Sequence, residues 1–372
     1  MKIGFLISST GWGGLEMNTL LLAQALSEKG FQITLFTIEE STINKKVKGE
    51  FESVFAFKKI RKYFDFSIAR KIAKRLESNN IQTLLVFDNK DLDVASWCKR
   101  LFYKNLTIIY QQHMQIGINK KGLLHTFRFD AINWWITPLH YLKREVIERT
   151  NFPVHKIKVI PIGLNVEYFS SPKYTKREAL KLLGINPQGT LLGIIGRVSE
   201  KKGQLFILEA VQQLRAMGHK LELLIFGSPT INDPESLVYY EKLLKKTDSE
   251  DLKDVIHFIP HKEDVLLFYN AIDIFTLASH SETYGMVTIE AMLSKIPIIA
   301  TKSGGTSEIL EDEALGFLYH YGNMGEFCEK LIELENSPAK SKLKVENAFE
   351  TAKETYAKEK EVDAISEVIS NW

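Results

Sequence analysis

Ile3-Gly4-Phe5-Leu6-Ile7-Ser8, then Gly11-Trp12-Gly13-Gly14, then a helical stretch at 16–29, is the passage on which the fold turns. The short apolar run has the pattern of a strand buried on both faces, and the glycines after it make a loop. Gly30 stands where a C′ glycine stops a helix, and 31–38 is the next strand. Strand, loop, helix and strand make one βαβ unit. Working outward, apolar runs at 83–87, 106–110, 131–137 and 157–160 continue the series, with helical segments between them. The first half reads as a parallel sheet covered on both faces.

The pattern then restarts. Pro161-Ile162-Gly163-Leu164-Asn165 leads into a polar connector, Ser170-Ser171-Pro172-Lys173-Tyr174-Thr175, and a short helix at 177–183. Further strands are expected at 191–195, 221–226, 255–259, 272–277 and 296–300. A charged helical stretch at 343–370 ends the chain. The domains are placed at 1–165 and 166–355, with a C-terminal helix at 356–372 returning to the first. The class is α/β, with two Rossmann-like doubly wound parallel-sheet domains. Ligands of open α/β sheets bind at the carboxyl ends of the strands, so the two domains are expected to face a cleft.

A length of 372 residues agrees with two domains. The net charge of +2 conceals an asymmetry: residues 1–165 carry 25 basic and 14 acidic side chains, and the remainder 23 and 32. One half is basic and the other acidic. Cys98 and Cys328 are too far apart in sequence for a disulfide framework or a Cys-based metal cluster, so a reduced cytosol is the default. The N-terminus lacks the pattern of a signal peptide, and no run approaches the roughly 18–20 apolar residues that cross a bilayer. Membrane contact, if made, is peripheral.

Chemistry concentrates at four places. In Gly196-Arg197-Val198-Ser199-Glu200-Lys201-Lys202-Gly203, a strand ends in glycine and two cations, Arg197 and Lys202, stand at its mouth. A diphosphate would suit them, since a charge-assisted hydrogen bond contributes about 1.5–3 kcal/mol. A solvated pair on an ordinary loop would read the same way. In the stretch from Ser279 to Met292, Glu282 is expected on a loop and Glu290 in the first turns of a helix. Gly285, Met286 and Val287 would then offer free N–H groups to phosphate oxygens. The carboxylates suit sugar or ribose hydroxyls, or merely the positive end of the helix dipole. The loop Gly11-Trp12-Gly13-Gly14 permits close backbone approach but is not G-x-G-x-x-G, which disfavours a dinucleotide. His113 follows a strand at its carboxyl end.

In this order the pieces resemble the family-four retaining glycosyltransferases of GT-B fold. The likeness rests on Gly13-Gly14-Leu15-Glu16, His113, the 160–165 segment, Gly196-Arg197 with Lys202-Gly203, the Glu282-to-Glu290 block, and Ser303-Gly304-Gly305-Thr306-Ser307-Glu308. It implies a nucleotide-sugar donor, UDP-sugar ahead of GDP-sugar, with no metal and no cofactor. Arg197 and Lys202 would bind the diphosphate, and Glu290 the ribose. Glu282 and His113 would contact the donor sugar, while Gly196, Gly285, Met286, Val287, Gly13 and Gly14 would line the donor. Retention would follow same-face attack. Asn165 stands where the family often has aspartate, Ser294-Lys295 where it has Ala/Cys-Gly, and Tyr284 where it has phenylalanine. Asp91-Leu92-Asp93 spells a metal-binding pattern out of place, and is read as capping or surface. The rivals are a nucleotide-sugar 2-epimerase of the same architecture and a non-catalytic nucleotide-sugar-binding module.

Between Lys58 and Arg75 lie eight cations and one acid, interleaved with Tyr63, Phe64, Phe66, Ile68 and Ile72. This suits an amphipathic segment on an anionic membrane, extended by Lys120-Lys121, Leu123, Leu124, Phe127 and Trp134-Trp135. A solvated helix with a buried stripe is the alternative. Nucleic acid is disfavoured, because no recognition motif accompanies the charge. The expected acceptor is a glycan or lipid-linked glycan in polysaccharide or lipopolysaccharide synthesis. The expected location is the cytoplasm, peripheral to the inner membrane face.

Overall fold

The computed structural model describes all residues other than 48, 52, 59, 62, 63, 231, 232, 249–251, 371 and 372. The chain forms two compact units. Met1–Gly163 together with Lys358–Trp372 makes the first, and Leu164–Ala357 the second.

The first unit holds seven strands: β1 (Lys2–Ile7), β2 (Gln32–Ile38), β3 (Ser53–Phe57), β4 (Thr83–Val86), β5 (Thr107–Gln111), β6 (Trp134–Thr137) and β7 (Ile157–Val159). All pair in parallel, in the order β3-β2-β1-β4-β5-β6-β7. The second holds β8 (Thr190–Ile195), β9 (Leu221–Phe226), β10 (Ile256–Ile259), β11 (Ile274–Leu277), β12 (Ile298–Thr301) and β13 (Phe317–Tyr319), also parallel, in the order β10-β9-β8-β11-β12-β13. Each order reverses once, between β1 and β4 and between β8 and β11. Those reversals are the switch points where doubly wound sheets bind ligands. Strands β3 and β13 were not among the strands expected from the sequence.

Both faces of the first sheet are covered. On one, Leu22, Ala23 and Leu26 of the helix Gly14–Glu28 pack with Val362, Ile365 and Ile369 of the C-terminal helix Lys358–Ser370. Burying an aliphatic side chain of this kind stabilises by about 1.5–3 kcal/mol, so the returning helix is part of the first core. The charged tail is thus two helices, Pro338–Thr355 and Lys358–Ser370, with the chain crossing between units at Ala357. Glu361 on the second is buried. Its carboxylate accepts hydrogen bonds from Gln111 Nε2 and the Gly163 N–H, each 2.9 Å, and pairs with Lys358 at 2.6 Å.

On the other face, Ile72 of the basic segment proves to belong to the protein core. Within the basic segment, Lys59, Lys62 and Tyr63 lie outside the described residues. The helix Phe66–Ser78 begins at Asp65, whose carboxylate accepts the Ile68 N–H at 3.1 Å. Ala69, Ile72, Ala73 and Leu76 turn into the core, leaving Ile72 fully buried. The helical stripe therefore meets the sheet, and the cations point outward. Trp135 is interior too, its indole N–H donating to Gln112 Oε1 at 2.9 Å. Asp91 is neither surface nor a side-chain cap. It is buried at the carboxyl end of β1, accepting the Ser8 N–H at 2.8 Å and the Ser8 hydroxyl. Burial raises its pKa to about 7.

Candidate active site

Strand β8 ends at Ile195 and runs into Gly196, whose φ is +139°. Arg197 follows with its side chain exposed, while its carbonyl oxygen accepts from Gln204 Nε2 at 2.9 Å. A single turn, Glu200–Lys202, leads to Gly203 at φ +72° and the helix Gln204–Ala216. A Cβ on Gly203 would overlap the carbonyl oxygen of Ala278, so the backbones after β8 and β11 touch there. This contact brings Lys202 to the neighbouring loop, where its ammonium lies 2.8 Å from Glu282 Oε2. The pair is half-buried.

Beyond β11 the loop reaches Gly285, at φ +96°, which opens the helix Met286–Leu293. The N–H groups of Met286 and Val287 have no intrahelical acceptor, whereas that of Thr288 donates to the Gly285 carbonyl oxygen at 2.9 Å. Glu282 lies on the loop and Glu290 in the second turn of that helix. The Glu282 carbonyl oxygen accepts the Gly305 N–H at 2.8 Å, and a Cβ on Gly304 would overlap it. Glycines after β8 and β12 thus allow three loops to pack at the β8/β11 switch point.

Glu290 is half-buried, and the Tyr269 hydroxyl donates to its Oε2 at 2.7 Å. Burial raises its pKa to about 7, while the tyrosine hydrogen bond works in the opposite direction. Tyr269 is held by Phe169, Phe268 and Phe275, with ring centroids 5.1–6.3 Å away. Three buried hydroxyls nearby in sequence to these loops, Ser279, Thr288 and Thr306, have no hydrogen-bond partner. Tyr269 carries no local signal in the sequence, whereas Thr306 sits inside the Gly-Gly-Thr-Ser-Glu stretch.

The structure thus brings Gly196, Arg197, Lys202, Glu282, Gly285, Met286, Val287 and Glu290 to one end of the second sheet. Gly13, Gly14 and His113 belong to the first unit. Gly13 precedes the helix Gly14–Glu28 with extended backbone, and its carbonyl oxygen accepts the Met17 N–H at 3.0 Å. His113 stands two residues beyond β5, with its Nε2 buried and without a partner. Burial, aided by the charge of Lys358, lowers its pKa to about 3, so the imidazole is neutral near pH 7. Among the described residues, no group of three His, Cys, Asp or Glu side chains is placed to hold a metal ion.

Chemically, the second unit combines two cations, helix-start N–H groups and two carboxylates, one able to gain a proton near neutrality. That set can hold an anionic leaving group beside a polyhydroxyl one. The family model described as glycosyl transferases group 1 matches residues 175–351, and that described as Glycosyltransferase Family 4 matches 12–168, together nearly the whole chain. The chain is a family-four glycosyltransferase. This glycosyltransferase is similar to alpha-monoglucosyldiacylglycerol synthase of Streptococcus pneumoniae, 26% identical over 96% of this chain and 83% of that protein. It is also similar to the lipopolysaccharide 1,2-N-acetylglucosaminetransferase of Salmonella typhimurium, 30% identical over 49% and 47%. Among solved structures, HepE of Anabaena in complex with UDP shares the GT-B fold at a TM-score of 0.86. That likeness covers 100% of both chains at 19% identity. No helix among the described residues is long and apolar enough to cross a membrane.

Proposed function

We propose that this glycosyltransferase takes its sugar from a nucleotide sugar, UDP-sugar ahead of GDP-sugar, and transfers it with retention to a glycan or lipid-linked glycan. The observation that carries the reading is the convergence of Arg197 and Lys202 with the start of the helix Met286–Leu293 at the β8/β11 switch point. Arg197, Lys202 and the N–H groups of Met286 and Val287 take the diphosphate. Glu290 takes the ribose hydroxyls, and Glu282 the donor sugar. Gly13, Gly14 and His113 supply the first unit's part of donor binding. Support for UDP comes from HepE, whose structures include complexes with UDP and UDP-glucose. Support for a surface-glycan acceptor comes from the lipopolysaccharide and glucosyldiacylglycerol relatives. The work is placed in the cytoplasm, at the inner face of the membrane.

In the reaction, the acceptor oxygen bonds to the anomeric carbon on the face that the phosphate leaves. The bond between that carbon and the phosphate oxygen breaks, and the acceptor proton passes to the departing phosphate oxygen. Negative charge grows on the diphosphate, where Arg197 and Lys202 stand. Preorganised charge of this kind is usually the largest catalytic contribution, and here it is assigned to side chains without a metal.

The test is a thermal-shift panel of UDP-, GDP- and ADP-sugars, followed by product analysis with the stabilising donor. A ligand that binds the native state raises its melting temperature by mass action. Expected is stabilisation by a UDP-sugar and a product with the donor's anomeric configuration. An inverted linkage overturns retention. An epimerised nucleotide sugar, or binding without any transfer to glycan and lipid acceptors, overturns the transferase assignment.

A further inference from the structure

Although the stripe of the helix Phe66–Ser78 faces the core, the outer side of the same layer is not polar throughout. Phe64, Phe66, Trp97 and Phe127 form a chain of ring contacts, with centroids 4.9–6.2 Å apart, across three helices: Phe66–Ser78, Leu92–Trp97 and Leu123–Phe129. Phe64, Phe66 and Phe127 are exposed, and beside them Leu123 and Leu124 stand 91% and 71% exposed. Apolar side chains this open are unusual on a surface that meets only water.

Next to the rings lies a groove of about 480 Å³ lined by Trp97, Leu101, Phe127 and three cations, Lys99, Arg100 and Lys104, with Asp130 the one acid among its lining. The Arg100 guanidinium stacks 4.0 Å from the Phe127 ring and donates to the Phe127 carbonyl oxygen at 2.6 Å. Its Nε is buried without a partner. Lys99 Nζ is held by the Ala131 carbonyl oxygen at 3.0 Å and Asn133 Oδ1 at 2.6 Å, both neutral. Burial and the nearby charges of Lys156 and Arg100 lower its pKa to about 8. Three cations are gathered here against the single acid Asp130. The residues that hold Lys99 precede β6, at the amino end of the sheet, whereas His113 follows the carboxyl end of β5. The groove therefore lies at the opposite end of the first sheet from His113.

We propose that this face, from Phe64 to Leu124 with the Lys99-Arg100-Lys104 groove, docks on an anionic phospholipid bilayer. The leucines and phenylalanines enter the interface, and the groove receives a lipid phosphate. Charge complementarity selects this occupant. A second copy would bring the same cations face to face, whereas the aliphatic Leu123 and Leu124 beside the rings suit acyl chains. The proposal deepens the lipid-linked acceptor reading, but its test needs no donor, so its failure leaves the nucleotide-sugar assignment standing.

The full-length protein is floated with vesicles of phosphatidylcholine, and with vesicles of an equal mixture of phosphatidylcholine and phosphatidylglycerol, at low and high salt. Binding is expected to the mixed vesicles, weakened by salt. Lys104→Gln should reduce the partition coefficient about fivefold, the effect of one basic residue at an anionic surface. The double variant Leu123→Ser/Leu124→Ser should reduce it further. Both variants should keep the wild-type melting temperature and donor-induced thermal shift. Equal recovery on the two vesicle types, or wild-type partition by both variants, overturns the proposal. Displacement from mixed vesicles by inorganic phosphate at matched phosphate concentration would assign the groove to a soluble anion, and also overturns it.

Discussion

The Tyr269 hydroxyl donates to Glu290 Oε2 across 2.7 Å, from a ring wedged among Phe169, Phe268 and Phe275. The carboxylate proposed to hold the ribose is thereby fixed in place before any donor arrives. Removing the hydroxyl in Tyr269→Phe leaves a half-buried carboxylate short of one donor. A hydrogen bond to a charged group contributes about 1.5–3 kcal/mol, so donor affinity should fall by about tenfold or more. Calorimetry of nucleotide-sugar binding would measure it. Unchanged affinity would remove Tyr269 from the donor site.

The same carboxylate makes stability depend on pH. Its folded pKa is raised to about 7 from an ordinary value of 4.5, so its contribution is fully present below about 4.5 and is lost as pH rises through 7. Complete loss corresponds to about 3 kcal/mol for a shift of this size. Glu290→Gln should therefore gain stability over the wild type at pH 8 and show no such gain at pH 4, in denaturant titrations at both values. Donor binding should follow the opposite course. Ribose hydroxyls donate to the ionised form, so wild-type affinity should tighten between pH 6 and 8, and Glu290→Gln should bind weakly throughout.

His113 gives a contrasting expectation. With its pKa lowered to about 3, it stays neutral across the working range. An inflection near pH 7 in kcat/KM should disappear in Glu290→Gln and persist in His113→Asn, however slow the latter becomes. An inflection lost only in the histidine variant would reverse these roles.

Arg197 and Lys202 should separate in stability while agreeing in activity. Arg197 is exposed, so Arg197→Ala should alter stability by about 0.5 kcal/mol at most. Lys202→Ala leaves Glu282 half-buried without its ammonium and should cost more. Each should lower kcat/KM by at least about tenfold, the loss of one charge-assisted contact. Thermal melts beside initial rates decide it. A folded double variant with wild-type turnover would sink the assignment.

Gly304→Ala tests the loop packing. Gly304 has φ +55°, and a Cβ there overlaps the carbonyl oxygen of Glu282. The left-handed backbone alone costs an alanine about 1–2 kcal/mol, and the overlap displaces the Glu282 loop. Reduced stability together with weakened donor binding is expected. Gly218→Ala, at φ +97° with open space around its Cβ, is the control that should lose stability and keep donor affinity.

Much of this was legible in the sequence because it is local. Apolar runs divided by helical segments mark parallel strands buried on both faces, and the spacing from Arg197 to Lys202 and from Glu282 to Glu290 lies within single loops and helices. Tyr269 was not legible, since its meeting with Glu290 depends on how two helices pack and not on any pattern along the chain. The helix Phe66–Ser78 shows the same limit differently. Periodicity identifies Ala69, Ile72, Ala73 and Leu76 as one face, but it does not say whether a sheet or a membrane lies against that face. Strand β3, whose residues Ser53–Ala56 are only half-buried, was also missed.

The crossing at Ala357 also fixes an order of events during synthesis. The first unit is begun by Met1–Gly163, yet it is completed only when Lys358–Ser370 has been made. Everything from Leu164 to Ala357 must be translated in the interval, roughly 10–40 s at about 5–20 residues per second. Throughout it the apolar face at Leu22, Ala23 and Leu26 lacks Val362, Ile365 and Ile369. The nascent N-terminal half is therefore a natural client for ribosome-associated chaperones, and a chain truncated before Lys358 would leave that half permanently unsealed.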